Sequence, residues 1–242
     1  MGITYTGGGM NQEHISRQFD ADLEGLRTRV LAMGGLVEQQ VIRAMSGLES
    51  GDMALLEQVI AADSVVNRHE VELDEACNNV IARRQPAAVD LRMIMTVVKT
   101  ITDLERIGDE AKKIAKMARD IHGENMRVVP RVDLRPPAEI AVSMLRKSLD
   151  AFARLDVNAS ADVMRQDREV DAGYKAAMRQ LITFMMEDPR TISSSLDLLF
   201  IARSIERIGD HAKNISEYVV YLVKGRDVRH IGLEAMEKEV AG

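Results

Sequence analysis

The segment ERIGDEAKKIAK occupies residues 105–116 of the chain, and a closely similar segment, ERIGDHAKNISE, occupies residues 206–217. The first five letters are identical, and each residue of the second copy follows its equivalent by 101 positions. An identity of this length at this separation indicates an internal duplication. Each copy also places a glutamate and an aspartate four residues apart in a helical pattern. The fold is therefore expected to consist of two similar halves.

Helical patterning runs almost without interruption from about Glu13, and its breaks define six predicted helices. The longest break carries three of the five prolines and lies near the middle of the chain. Because short turns force consecutive helices to run antiparallel, we predict an all-α fold of two tandem up-down three-helix bundles related by internal duplication. The breaks, rich in Gly, Pro, Asn and Asp, lie at residues 49–52, 83–86, 122–137, 156–159 and 187–190.

These breaks also predict the division of the chain into domains. The long central break is expected to be a linker, and each half on either side of it a bundle of its own. The predicted parts are a flexible N-terminal tail at 1–12, a first bundle at 13–125, a linker at 126–137, a second bundle at 138–230 and a C-terminal tail at 231–242.

Composition and charge exclude several classes of protein. Aromatic residues make up only 3% of the chain, which suits helix packing better than a β-sandwich core. A net charge of −6 argues against a nucleic acid as partner. No apolar run approaches the roughly 20 residues of a membrane span, and the N-terminus lacks the features of a signal peptide. With Cys77 as the single cysteine, we expect a reducing, cytoplasmic location.

The second predicted helix carries a seam of apolar residues spaced alternately by three and four, typical of a face that packs inward. Two of the eight positions in this seam are the carboxylates Asp63 and Glu70. In the fifth predicted helix, Asp167 takes the equivalent place of Glu70, 97 positions later. Acids thus stand at positions where apolar residues are expected.

Each half contains two acid pairs with the spacing i, i+4. Residues equidistant from the turn of a helical hairpin meet, and in both halves the two pairs lie at roughly equal distances from the turn. We therefore expect four carboxylates to converge in each bundle. The pairs are Glu70/Asp74 and Glu105/Asp109 in the first half, and Asp167/Asp171 and Glu206/Asp210 in the second.

Converging carboxylates repel one another and are costly to desolvate unless something neutralises them. Hard cations take oxygen ligands, and helical bundles build carboxylate metal sites from facing helices. The eight acids are therefore predicted metal ligands, with iron, manganese, magnesium or zinc as candidates. A donor set of carboxylates favours Fe³⁺, Mn²⁺ or Mg²⁺ over a structural zinc site. The Glu-x-x-His pattern of di-iron bundles is missing from these pairs.

The alternative to metal binding is charge pairing with nearby cations. For a single acid pair this interpretation is the better one, but four pairs at repeated positions favour the metal. His69 and His211 adjoin the acid pairs and are predicted to face solvent, whereas Cys77 is predicted to lie in the core. The candidate cations are Lys99, Arg106, Lys112, Arg203 and Arg207.

The chain resembles the PhoU family, the accessory and regulatory proteins of the bacterial phosphate-specific transport system. The resemblance runs from about Phe19 to Ile231. In the first half it is carried by EVELDEACNNVIARRQPAAVDLR and TDLERIGDEAKKIAK, and in the second by MMEDPRTISSSLDLLFIARSIERIGDHAKNISEYVVYLVKG. The resemblance implies two three-helix bundles, each with paired acidic motifs that bind metal. Those motifs correspond to the four acid pairs given above.

The resemblance also implies a function. Members of the family are cytoplasmic, usually homodimeric regulators that repress the phosphate-starvation response when phosphate is plentiful. They contact the membrane sensor histidine kinase and the transporter ATPase, and so reach the membrane only through partners. No catalytic motif is present in the sequence, so we expect no enzyme activity. Two other classes stay open, namely a carboxylate-bridged di-metal oxidase or hydrolase and a metal-free helical adaptor.

Overall fold

The computed structural model describes residues 9–86, 88–123 and 128–228. Within these residues the chain forms six α-helices and one 3-10 turn, at Pro189–Thr191, and no β-strand. The all-α prediction is therefore confirmed. The helices are α1 at Gly9–Ser50, α2 at Met53–Arg84, α3 at Ala88–Gly123, α4 at Arg135–Arg154, α5 at Val157–Glu187 and α6 at Ile192–Lys224.

The turns between helices overlap the predicted breaks, and aspartates in two of them cap the helices that follow. A glycine ends the last helix. Asp52 caps α2 by accepting a hydrogen bond from the backbone N–H of Leu55 at 3.0 Å. Asp156 caps α5 by accepting one from the N–H of Asn158 at 2.9 Å. Gly225 ends α6 with a φ of +73°, a conformation that glycine adopts without strain.

The helices form two up-down bundles, α1–α3 and α4–α6, joined across a broad contact between α3 and α6. This contact corrects the expectation of two separate cores. Most of the fully buried apolar side chains of both halves, such as Leu104 on α3, Met144 on α4 and Ile208 on α6, belong to one continuous cluster. The helices are not interleaved, so the duplicated bundle architecture holds while the core is shared.

The inward seam predicted for the second helix is confirmed, because all its members but two are buried on α2, and the two exceptions, Glu70 and Val80, are half-buried. Its counterpart on α3 contains Gly108, where a Cβ atom would approach Gln40 Oε1 and Val66 Cγ1 at 3.2 and 3.3 Å. Such contacts are tighter than ordinary packing. The glycine therefore allows α1 and α2 to approach α3 closely at the level of the acid pairs.

The domain boundaries stay a prediction, although some element bounds differ from them. α1 begins at Gly9, inside the tail predicted for residues 1–12, and α4 begins at Arg135, before the predicted start of the second bundle. Residues 126–127 of the predicted linker, the C-terminal tail at 231–242 and residues 1–8 lie outside the described residues.

Candidate functional site

The structure brings the first four predicted ligands together on facing sides of α2 and α3. Burial raises the pKa of Glu70 above its usual value, and the charges of Asp74 and Asp109 raise it further, while Arg106 opposes them. Charges act in this way only when they lie close to one another. We name Glu70, Asp74, Glu105 and Asp109 the first acid cluster.

Glu105 shows the same interactions from the side of α3. Its pKa is raised first by burial and then by the charges of Asp109, Glu70 and Asp63, with Arg106 again opposing. The fifth carboxylate, Asp63, is thus close enough to affect the cluster. Acid pairs from two helices therefore meet at one level of the bundle, as the distances from the turn predicted.

The second bundle contains an equivalent arrangement of Asp167, Asp171, Glu206 and Asp210, which we name the second acid cluster. Burial raises the pKa of Glu206, and Asp210, Asp171 and Asp167 add to the rise against an opposing Arg203. The pKa of Asp210 is raised by burial and by Asp167 and Asp171, against Lys213 and Arg203. All four acids interact.

The two acid clusters differ in their nearest lysine. On α3, Lys112 donates to Asp63 Oδ2 at 2.6 Å, and the side chain of Asp63 is only 6% exposed. Among the residues that the structure describes, no member of the first acid cluster has a cation within 4.0 Å. Arg106 is exposed, and its charge acts to lower the pKa of Glu70 without forming an ion pair with it. The first acid cluster thus has no direct ion pair within the described ranges.

In the second acid cluster, basic side chains pair with the acids directly. Lys213 donates to Asp167 Oδ2 at 2.7 Å, and Lys175 lies 3.9 Å from Asp171. Arg203 donates to Glu206 Oε1. Of the cations expected for charge pairing, Arg203 therefore takes that role, and Lys213, which the sequence analysis did not single out, takes it as well.

Each acid cluster has the donor chemistry that a hard cation requires, without the geometry of a completed coordination shell. No three His, Cys, Asp or Glu side chains are gathered tightly enough to hold a metal ion anywhere in the described ranges. The donors are all carboxylate oxygens, and Oδ1 of Asp63, beside the first acid cluster, and Oε2 of Glu206, in the second, are buried with no hydrogen-bond partner among the described residues. Such an orphaned acceptor fits a cation, so the residues suit the predicted group.

His211 contradicts the expectation that it faces solvent. It is 6% exposed and lies between the bundles, where Nδ1 donates to Oδ1 of Asp103 on α3 at 2.7 Å. A carboxylate only accepts, so Nδ1 carries the hydrogen in this pair. Asp103 also accepts from the side-chain amide of Asn214 at 3.2 Å. His211 therefore links α6 to α3 and does not project towards the second acid cluster.

A second polar contact across the α3–α6 interface is the equivalent of the first. The hydroxyl of Ser204 donates to Oε2 of Glu110 at 2.9 Å, and Glu110 is 2% exposed. Adding 101 to Asp103 gives Ser204, and adding 101 to Glu110 gives His211. The two contacts are thus exchanged between the halves, as an approximate twofold axis between α3 and α6 requires.

Of the remaining candidates, Cys77 is confirmed as a core residue, because it is fully buried and burial raises its pKa to about 11. Lys99 lies over the rings of Tyr218 and Tyr221, with Nζ 5.4 and 5.3 Å from their centroids. Arg207 lies 3.1 Å from Glu110. Neither of these cations pairs with an acid cluster.

Comparison with known proteins identifies relatives over nearly the whole chain. A family model described as the PhoU domain matches twice, over residues 30–118 and 136–219, once in each bundle. In the part of the chain that the structure describes, none of the helices combines the length and apolar character needed to cross a membrane.

Curated relatives are similar over most of their own length. A protein of Pseudomonas putida named phosphate-specific transport system accessory protein PhoU homolog is 50% identical over 95% of this chain and 90% of its own. The accessory protein PhoU of Escherichia coli (strain K12) is 47% identical over 95% of each chain. The solved structure of PhoU from Pseudomonas aeruginosa is 48% identical, with a TM-score of 0.82 over 86% of this chain and 100% of that one.

Proposed function

Because the chain belongs to the PhoU family, we propose that it is a negative regulator of the phosphate-starvation response and an accessory protein of the phosphate-specific ABC transporter. The observation that carries this proposal is the match of the PhoU domain to both bundles. The two halves that the sequence duplicates are thus the two units that define the family.

The proposed regulator acts by contact and not by catalysis. Its partners are the sensor histidine kinase and the transporter ATPase, and the chain is a cytoplasmic homodimer that reaches the membrane through them. The net charge of −6 supports protein partners over nucleic acid. We assign no reaction to the carboxylates, and relatives that share about half of the residues are named accessory proteins.

We further propose that the first acid cluster holds a cation. Glu70, Asp74, Glu105 and Asp109 would supply its oxygen ligands, and the cation would supply the positive charge that cancels their repulsion. The raised pKa of Glu70 and of Glu105 supports this, since both rises come from burial and neighbouring negative charge. The role of the proposed cation is then structural, because acid pairs that begin inside a packed seam point inward.

A second candidate applies to the second bundle, which could serve as a helical adaptor without metal. The observation that favours it is the pairing of Lys213 with Asp167 and of Arg203 with Glu206. A cation at the second acid cluster would have to displace these side chains. We therefore propose that the second acid cluster binds cations more weakly than the first.

The proposed regulation is tested by complementation. A bacterial strain lacking its own PhoU gene should express phosphate-starvation genes even in high phosphate, and this chain should restore repression. The Escherichia coli relative expressed from the same promoter is the positive control, and the empty vector is the negative control. Full expression of the starvation genes, despite folded chain at the level of the control protein, would refute the proposal.

A further inference from the structure

An open groove of about 310 Å³ lies between α3 and α6 on the outer surface of the α3–α6 interface. No member of either acid cluster lines it: it borders Glu110 and Ser204 in the interface between the bundles, and its Arg203 bonds to Glu206 of the second acid cluster. We name it the basic groove. The side chains that characterise it are Lys113, Lys116, Arg203, Arg207 and Phe200, around the buried carboxylate of Glu110.

The charge of the basic groove is positive in a chain whose net charge is −6, although one of its cations, Arg203, is already bonded to Glu206. Its lining contains four basic side chains and a single carboxylate, Glu110. That carboxylate is already held by Lys113 at 2.9 Å and by Arg207 at 3.1 Å. Lys116 is exposed at the edge of the groove. The groove therefore attracts negative charge from outside the molecule.

The basic groove also exposes a large apolar side chain. Phe200 is 58% exposed, although it lies on α6, most of whose other large apolar residues are buried. Met117 from α3 lines the groove beside it and is half-buried. An exposed aromatic ring among cations is typical of a contact surface, because the ring supplies buried area and the cations supply orientation.

The equivalent place at the other end of the α3–α6 interface shows that the duplicated scaffold does not produce this groove by itself. There, Lys99 takes the position of Phe200 and is covered by the rings of Tyr218 and Tyr221. Glu217, buried, takes the position of Lys116. The helices at the two ends of the interface are equivalent, so the groove depends on the side chains that are present at one end and replaced at the other.

We infer that the basic groove docks an acidic segment of a partner protein that carries an aromatic or aliphatic side chain. The apolar side chain would pack on Phe200, and the carboxylates of the segment would face Lys116, while Arg203 stays bonded to Glu206. A concave groove between two helices admits a segment of chain better than a flat bilayer does. The inference deepens the proposed function. It rests on that function in one respect, because a regulator that acts without catalysis needs a surface on which partners dock.

The inference is tested by selecting short random peptides, displayed on phage, against the purified full-length chain. A synthetic peptide of the enriched sequence is then measured by fluorescence anisotropy. We expect enriched peptides that are acidic and contain Phe, Tyr, Trp or Leu, with binding that weakens at high salt. No enrichment, or enrichment of neutral or basic peptides, would overturn the inference.

Matched variants locate the binding. Lys116→Glu with Phe200→Ala should weaken binding of the selected peptide by about tenfold or more, since a charge and an aromatic contact are both lost. The control is Arg168→Glu with Met186→Ala, which makes the same kinds of change at exposed positions of α5. The control should retain binding. Equal loss in both variants would contradict docking at the basic groove.

Two further outcomes would assign the basic groove to a different occupant. A dimer that dissociates in the Lys116→Glu, Phe200→Ala variant during sedimentation would make the groove an interface between copies of the chain. Vesicles of anionic lipid that bind the wild type and not this variant would make it a membrane contact. Either result overturns the inference. Repression in the complemented strain tests the regulatory function separately, so the two failures are distinguishable.

Discussion

The first and second acid clusters occupy equivalent places in equivalent bundles, yet their lysines bond to different acids. Lys112 pairs with Asp63, outside the four predicted ligands, whereas Lys213, its equivalent 101 positions later, pairs with the predicted ligand Asp167. The equivalent of Asp63 in the second half is Ser160, which donates instead to the backbone carbonyl of Ser216 at 3.0 Å. One acid-to-serine difference thus redirects a lysine.

The consequence is a difference in the negative charge that is left for a cation. In the first bundle, five nearby carboxylates share one paired lysine. In the second, four carboxylates are paired with Lys213, Arg203 and, at 3.9 Å, Lys175. We therefore expect the two acid clusters, at equivalent positions of the duplicated scaffold, to differ in their affinity for cations. The following predictions either break this comparison or sharpen it.

The largest effect is expected from the two lysines. Lys112→Met should lower the free energy of unfolding by about 2 kcal/mol, because Asp63 would remain buried without a cation, held only by a 3.4 Å hydrogen bond from Asn67. Lys213→Met should cost about 1 kcal/mol, since Asp167 is more exposed, at 15% against 6% for Asp63. Urea denaturation of chelator-treated protein measures both. An equal loss in the two variants would remove the proposed asymmetry.

Asp167 and Glu70 are equivalent acids, and removing their charges should change the free energy of unfolding in opposite directions. In chelator, Asp167→Asn should lower the free energy of unfolding by up to about 1 kcal/mol, because it weakens the bond from Lys213. Glu70→Gln should raise it by a few tenths of a kcal/mol, because it removes repulsion from Asp74 and Asp109. Thermal melts of both variants beside the wild type compare the signs. A destabilised Glu70→Gln variant would contradict the account of the first acid cluster.

Much of this arrangement could be predicted from the sequence because it depends on local periodicity. The three-four spacing on α2 placed Asp63 and Glu70 on an inward face, and the equal distances from the turn placed the acids of α2 and α3 together. Both follow from helix geometry and the length of a short connection. Asp63 is buried and Glu70 is half-buried, and the charges of Glu70 and Glu105 interact.

The contact between the bundles was missed because helices were paired only within each half. A signal for it exists on α3, where a second seam with three-four spacing lies on another face of the helix and is entirely buried. Asp103 and Glu110 are polar members of that seam and contact His211 and Ser204. The members are Thr96, Thr100, Asp103, Ile107, Glu110 and Ile114.

The partner of each lysine could not be predicted, because spacing alone does not determine it. Lys213 lies within reach of two acids, and its bond to Asp167 depends on side-chain geometry and on the hydroxyl that replaces the carboxylate at Ser160. Side-chain choices of this kind require the packed neighbours to be known.

The smallest predicted effect is a dependence on pH that follows from the raised pKa of Glu70 and Glu105. A carboxyl group with a raised pKa in the folded state destabilises that state when charged. The destabilisation is complete above the folded-state pKa and disappears as the pH falls towards the ordinary value of 4.5. In chelator, Glu70→Gln with Glu105→Gln should therefore be more stable than the wild type at neutral pH.

This advantage should shrink as the pH is lowered towards 4.5, where the wild-type glutamates take up protons. Melting temperatures of the two proteins across this range give the difference directly, and groups common to both proteins cancel. An advantage that stayed constant with pH would show that Glu70 and Glu105 do not repel their neighbours in the folded chain.

The most direct test of the account is a calorimetric titration of chelator-treated chain with Mn²⁺. It compares the wild type with two matched double variants, Glu105→Ala with Asp109→Ala and Glu206→Ala with Asp210→Ala. We expect two classes of site in the wild type, with Kd values that differ by about tenfold or more, equivalent to about 1.4 kcal/mol. The tighter class should be lost in the first variant and kept in the second. Loss of the tighter class in the second variant, or no binding of Mn²⁺ by the wild type, would contradict the account.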